Sequence, residues 1–184
     1  REVGVTAPAI YRHYDGREEV LSDVLREAHR TFSRYLYSAL GEPTALERFF
    51  GAGEGYLNFV IEHPRWYGIM HTAPEQLGMD ALPDDIEAMQ SASHQFWFDR
   101  VRVCMQAGIV KDGEREMASI TMWAPAHGMV QLCHEGCQPG GEEDFRMLYK
   151  ASGARLMAGV ATEEFAKDLE SLVLDEADMG MKTG

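Results

Sequence analysis

Val3-Gly-Val-Thr-Ala-Pro-Ala-Ile-Tyr-Arg-His-Tyr-Asp-Gly-Arg-Glu-Glu-Val-Leu21 reads as the second half of a helix-turn-helix that runs straight into a long helix. Gly4 supplies a turn, Thr6 a hydroxyl N-cap, and the short helix behind them ends in Tyr-Arg-His-Tyr. A rod of this kind presents its leading turn to a DNA major groove. Thr6 is placed to cap the helix and hydrogen-bond a phosphate, while Ala7, Pro8 and Ala9 offer a small surface to base edges and thymine methyls. Arg12 either reads a guanine or stays solvated. Asp15, with Glu18 three residues on, predicts a capping box for the next helix.

Charge is distributed to suit such a head. The chain of 184 residues carries a formal net charge of −13, which opposes DNA, since duplex affinity comes largely from Lys and Arg neutralising phosphates. Residues 1 to 35 nevertheless hold six Arg against six acids, so the whole excess of negative charge falls on residues 36 to 184. An acidic body repels the duplex and favours docking through the head; surface acids also serve simply to keep a helical body in solution. Three cysteines without paired spacing argue for a reducing compartment, read here as the cytoplasm. No apolar run is long enough to span a membrane.

Apolar residues recur with helical period along the chain, and no alternating strand pattern of useful length appears, so the expected fold class is all-α. Val20, Val24, Ala28, Phe32, Leu36 and Leu40 step by four along a helix from about Arg17 to Leu40, a natural rod between head and body. Residues 1–35 are therefore assigned to the head and the start of this linker, 36–177 to a helical ligand-binding and dimerisation body, and 178–184 to a flexible tail. Thr44 with Glu47 predicts another capping box, for a helix to about His63 before Pro64. Further helices are expected over a short piece around Trp66–His71, then 84–107 closed by Gly108, about 114–134, about 142–161, and from Thr162.

The 114–134 helix has no Asp, Glu, Lys or Arg from Ala118 to Cys133, so it must be covered on two sides. Its successor carries a small-residue stripe, Ala151, Ala154, Ala158 and Ala161, beside a bulky one, Phe145, Tyr149, Leu156 and Val160. Two such helices suggest half of a four-helix bundle completed by a twofold mate. The dimer candidates are Ile120, Ala124, Met129, Leu132, Phe145, Tyr149, Ala151, Ala154, Leu156 and Ala158; ordinary monomer core is the alternative. Trp123 and His127 share a helix face at i and i+4, with Pro125 between them able to bend the helix and open a gap. They mark a pocket shared with Trp66, Tyr67, Met70, His71, Met89, Ser93, Phe96, Trp97 and Cys104, made adaptable by eleven Met in the chain. Plain core packing is the competing reading for each of these residues.

The pattern Val-Thr-x-x-x-Ile-Tyr-x-His-Tyr-x-Gly-Arg-Glu-x-Val-Leu over Val5 to Leu21 resembles the TetR family of one-component transcriptional repressors at nearly every position. The resemblance implies that Tyr11 and His13 touch the DNA backbone. Tyr14 stands where the family usually has Phe, and Arg17 where it usually has Lys; either cation can hold a phosphate at a helix start. The first helix of the motif and nearly all of the second are expected to precede Arg1. Trp123-x-x-x-His127-Gly128 is similar to the Trp-His-Gly signature of one TetR C-terminal subclass, and the 114–134 and 142–161 helices correspond to those through which TetR-like proteins dimerise.

Together these readings predict a homodimeric repressor released from a palindromic DNA operator by a small apolar or amphipathic molecule. No cofactor or membrane partner is expected. A second reading makes Cys133, His134 and Cys137, joined by Cys104 or His127, a soft-metal or thiol sensor; a third is a helical binding module that does not touch DNA. No Gly-rich phosphate loop, Gly-x-Ser-x-Gly elbow or His-Glu-x-x-His motif occurs, so an enzyme is not expected.

Overall fold

The computed structural model describes residues 13–113, 115–137 and 140–166. Thr6, Ala7, Pro8, Ala9, Tyr11 and Arg12 lie outside the described residues, as do the 178–184 tail and most of the helix expected from Thr162. The described chain is all-α. Its elements are α1 (Arg17–Ser38) with a 3-10 turn (Ala39–Gly41), α2 (Ala45–Glu62), α3 (Pro64–Met70), α4 (Pro74–Leu77), α5 (Asp84–Gln106), α6 (Arg115–His134) and α7 (Glu142–Val160). No helix among the described residues is long and apolar enough to cross a membrane.

The start of α1 departs from the expected Asp15 and Glu18 box by one residue. Gly16 is the N-cap, which makes Glu19 the third helical residue, and from there its carboxylate reaches back to accept the Asp15 backbone N–H at 2.6 Å. The Thr44 box forms as the spacing predicts: the Glu47 N–H donates to Thr44 Oγ1 at 3.2 Å and the Thr44 N–H to Glu47 Oε2 at 3.0 Å. Gly108, at φ +72°, follows α5 in the left-handed conformation that glycine adopts without strain.

Helix α2 is the axis of the body, burying Phe49, Ala52, Tyr56, Leu57, Phe59 and Val60. Gly55 lets α1 approach it at backbone distance, since a Cβ there would be driven into the Tyr35 carbonyl group. The N-terminal half of α1 packs elsewhere, with Leu25 among Leu77, Met79 and Ile86. Two polar ties reinforce that contact: Arg17 Nη1 donates to the Leu77 carbonyl at 2.6 Å, and Arg26 forks onto Asp85 at 2.6 and 3.3 Å. The link between α5 and α6 is stitched to the end of α7 by an isolated Val110–Ala161 bridge and by Thr162 Oγ1 donating to the Gly108 carbonyl.

Helix α6 turns Ser119, Met122 and Val130 inward. Its opposite face stays open: Ile120 and Leu132 are each 46% exposed, and α7 adds exposed Met147 and Leu148. The expected dimer residues Phe145 and Tyr149 are instead buried in the chain's own core, because that side of α7 packs on α2; the Tyr149 hydroxyl donates to the Gly53 carbonyl at 3.1 Å.

Candidate functional site

Two cavities meet at Trp97. The larger, of about 380 Å³, lies between α2, α6 and α7. Its walls are Leu46, Phe49, Phe50 and Leu57 from α2, Met122, Ala126 and Met129 from α6, and Gly153, Ala154 and Leu156 from α7. Trp97 reaches in from α5, its ring centroid 4.8 Å from Phe49 and its indole N–H donating to the Ser119 carbonyl at 3.3 Å. At the rim, Arg146 donates to Asn58 Oδ1 at 2.5 Å and pairs with Glu142 at 3.0 Å, while Lys150 faces Glu54 at 3.4 Å. The volume falls in the ordinary range of small-molecule pockets, and the walls are apolar with a few polar groups at one edge.

This chamber corrects part of the sequence reading. Met129, Ala154 and Leu156, assigned to a mate-facing surface, line the cavity, because the small residues of α7 leave a space beside α2. Pro125 is exposed and lines neither cavity. The α2 contribution was missed. Its signal was present, since Leu46, Phe49, Phe50, Gly53 and Leu57 form a second apolar stripe alongside the core stripe.

The smaller cavity, of about 70 Å³, is the one the aromatic and imidazole residues mark. Met70, His71, Ser93, Trp97 and Trp123 line it together with His29, Tyr56 and His94. Around it the rings interlock: Trp123 stacks on His127 with centroids 5.1 Å apart, His71 lies 5.3 Å from His127, and His94 meets Trp123 edge-on at 5.5 Å. The Tyr56 hydroxyl is 2.6 Å from His127 Nδ1. His71 Nδ1 stands 2.9 Å from the Tyr67 carbonyl, which only accepts, so neutral His71 carries its proton on Nδ1. Burial, with neighbouring imidazoles, holds His29 and His127 below the ordinary imidazole value; for His71, too, burial is the leading cause.

Other expected pocket residues are placed elsewhere. Tyr67 is fully buried and donates to Gln131 Oε1 at 2.9 Å, and Trp66 stacks on His63. Phe96 is buried beneath the Arg100 guanidinium, and Met89 contributes its carbonyl to the Ser93 hydroxyl. Cys104 sits in the core, its thiol pushed up to about 11 by burial. None of these, nor His127, lines either cavity. Of the head residues within the described chain, His13 is exposed, and Arg17 has one donor occupied by the Leu77 carbonyl.

Cys133 and His134 line a further cavity of about 190 Å³ with Val60 and Pro64, with burial raising the Cys133 thiol pKa, while Cys137 is exposed. Among the described residues no three His, Cys, Asp or Glu side chains are grouped as a metal ion requires. The geometry therefore gives the metal-sensor reading no support.

A family model described as tetracyclin repressor-like, C-terminal domain matches residues 49–166. Among solved structures, a protein of unknown function from Rhodococcus sp. RHA1 superposes with a TM-score of 0.74 at 20% identity, covering 88% of this chain and 82% of that one. SCO4313, provisionally named a regulatory protein, superposes with a TM-score of 0.63 at 23% identity, covering 84% and 80%. At such identities these two likenesses concern the fold alone. No curated protein matches the sequence.

Proposed function

The chain belongs to the family of tetracyclin repressor-like C-terminal domains, and from that premise we propose that it is a dimeric transcriptional repressor which a small apolar or amphipathic molecule releases from a palindromic operator. The 380 Å³ apolar chamber carries this reading, because its main wall is α2, the helix on which α1 is seated without an intervening side chain at Gly55. A molecule that wedges α2 from α7 acts on the seat of α1. Helix α1 leads directly to the segment whose sequence resembles a DNA-reading head, and its tethers through Arg17 and Arg26 make it move with the α3–α5 connection.

Two heads read two half-sites only when they stand about one helical turn of DNA apart, roughly 34–36 Å, or a multiple of it. A ligand that favours another spacing weakens operator binding, and linkage requires the operator to weaken ligand binding by the same factor. The hydrophobic fluorophore 8-anilinonaphthalene-1-sulfonate serves as the probe. It is expected to bind the chamber of the full-length protein, to lose at least tenfold in affinity when operator DNA is saturating, and to be excluded by Gly153→Phe. Equal probe affinity with and without operator would contradict the proposal.

A further inference from the structure

We propose that the smaller cavity is a separate binding site that takes a carboxylate group together with one proton, with His29 at its floor receiving that proton. The site goes beyond the repressor reading and does not depend on DNA. His29 is 4% exposed and its Nδ1 is buried without a hydrogen-bond partner. A buried polar group left without any partner costs about 1–3 kcal/mol, so His29 favours an occupant that can hydrogen-bond it. Size limits the occupant: about 70 Å³ is near half of the roughly 150 Å³ that accommodates benzene. A carboxylate fits within such a space, whereas an aromatic ring would have to project beyond it.

Chemistry limits it further. The titratable groups facing the cavity are His29 from α1, Tyr56 from α2, His71 from the end of α3 and His94 from α5, with His127 of α6 behind Tyr56 and Trp123. No Asp, Glu, Lys or Arg lines it. The Ser93 hydroxyl is committed to the Met89 carbonyl and the Tyr56 hydroxyl to His127. An apolar occupant would leave His29 unpaired. A metal ion is disfavoured because these imidazoles are not grouped as ligands.

Burial first, and then the neighbouring imidazoles, hold His29, His71 and His127 below the ordinary imidazole value, which favours their neutral forms near pH 7. An anion entering alone would be an uncompensated buried charge. An anion entering with a proton drawn from the buffer onto the His29 ring becomes half of a neutral imidazolium–carboxylate pair, and no other bond changes. Affinity then rises about tenfold for each unit by which pH falls, between the His29 pKa in the complex and its lowered value in the free protein.

Trp97 is the shared wall of both cavities, so the carboxylate belongs to a short free acid or, where the Trp97 ring swings aside, to the head of a longer acid whose chain enters the larger chamber. Calorimetric titration with propionate at pH 6, 7 and 8, in two buffers of different ionisation enthalpy, tests the site directly. One propionate per chain, close to one proton taken up, and about tenfold tighter binding at pH 7 than at pH 8 are expected. His29→Gln, which keeps hydrogen-bonding capacity but cannot hold the proton, should abolish the uptake and weaken binding at least tenfold at pH 7. His94→Gln, at the exposed rim, should weaken binding severalfold with the proton count intact. Decanoate binding more tightly than propionate, with the same pH slope and the same loss in His29→Gln, assigns the site to the head of a longer acid; propionate preferred assigns it to a short one. Absence of heat at millimolar propionate at pH 6, binding without proton uptake, or an unaltered His29→Gln variant would overturn the proposal. The operator and fluorophore titration reports on the other chamber, so either reading can fail alone.

Discussion

Replacing Ile120 by aspartate is expected to turn the protein into a monomer and to weaken operator binding by at least a hundredfold. Ile120 is 46% exposed on the open face of α6, in a stretch with no charged residue from Ala118 to Cys133, and α7 beside it shows Met147 and Leu148. Apolar side chains exposed on two adjacent helices are the face that a twofold mate would cover. Twofold symmetry puts the substitution into the interface twice, and each carboxylate, partly shielded already, would lose its remaining hydration without a partner at a cost of about 2 kcal/mol. A total near 4 kcal/mol raises the dimer dissociation constant about a thousandfold. Because the side chain is half in solvent, the substitution itself costs the folded monomer little, and Tm should fall only by what subunit association contributed. Sedimentation velocity reads the result: half the wild-type mass at micromolar concentration is expected, and an unchanged mass would remove this face from the account.

A valine at Gly55 should have the largest effect on stability. Its Cβ meets backbone of α1, with the Tyr35 carbonyl carbon only 2.9 Å away, and backbone cannot swing aside as a flexible side chain can. Overpacking of this kind costs about 3 kcal/mol, which for a chain of this size lowers Tm by roughly 10 °C. Gly55→Ala separates causes by its sign. Helix propensity alone would stabilise the protein by about 1 kcal/mol, whereas the collision destabilises it. Both variants also loosen the seat of α1, so operator binding should fall while the fluorophore still enters the chamber of whatever fraction is folded. A Gly55→Ala protein melting above the wild type would show that α1 is not held at backbone distance.

Where local chemistry sets the structure, the sequence was readable. Thr44 and Glu47 announce the start of α2, Pro64 begins α3, Gly108 closes α5, and the charge-free run of α6 announces a helix short of surface to cover it. Errors arose where helix rotation decides. One residue's uncertainty about the first turn moved the expected reach-back from Glu19 to Glu18. Phe145 and Tyr149 share a bulky stripe, and a stripe can face the core or a mate with the same spacing; contact with α2 settled it. Of the expected pocket residues, Met70, His71, Ser93, Trp97 and Trp123 share the wall of one cavity while His127, the other half of the Trp123 pair, does not, and the larger chamber was not anticipated because its α2 residues resemble any second apolar stripe. Periodicity tells which residues share a face. It does not tell whether the opposing helix fills the gap.

The central claim is that paired heads carried by α1 read DNA as a twofold unit. Selection of the full-length protein against random duplex DNA tests it most directly. The account predicts enrichment of an inverted repeat whose half-site centres lie about 10 base pairs apart or a multiple of that, and loss of that enrichment with Ile120→Asp. Recovery of unpaired or directly repeated sites, or of no preferred sequence, would contradict it.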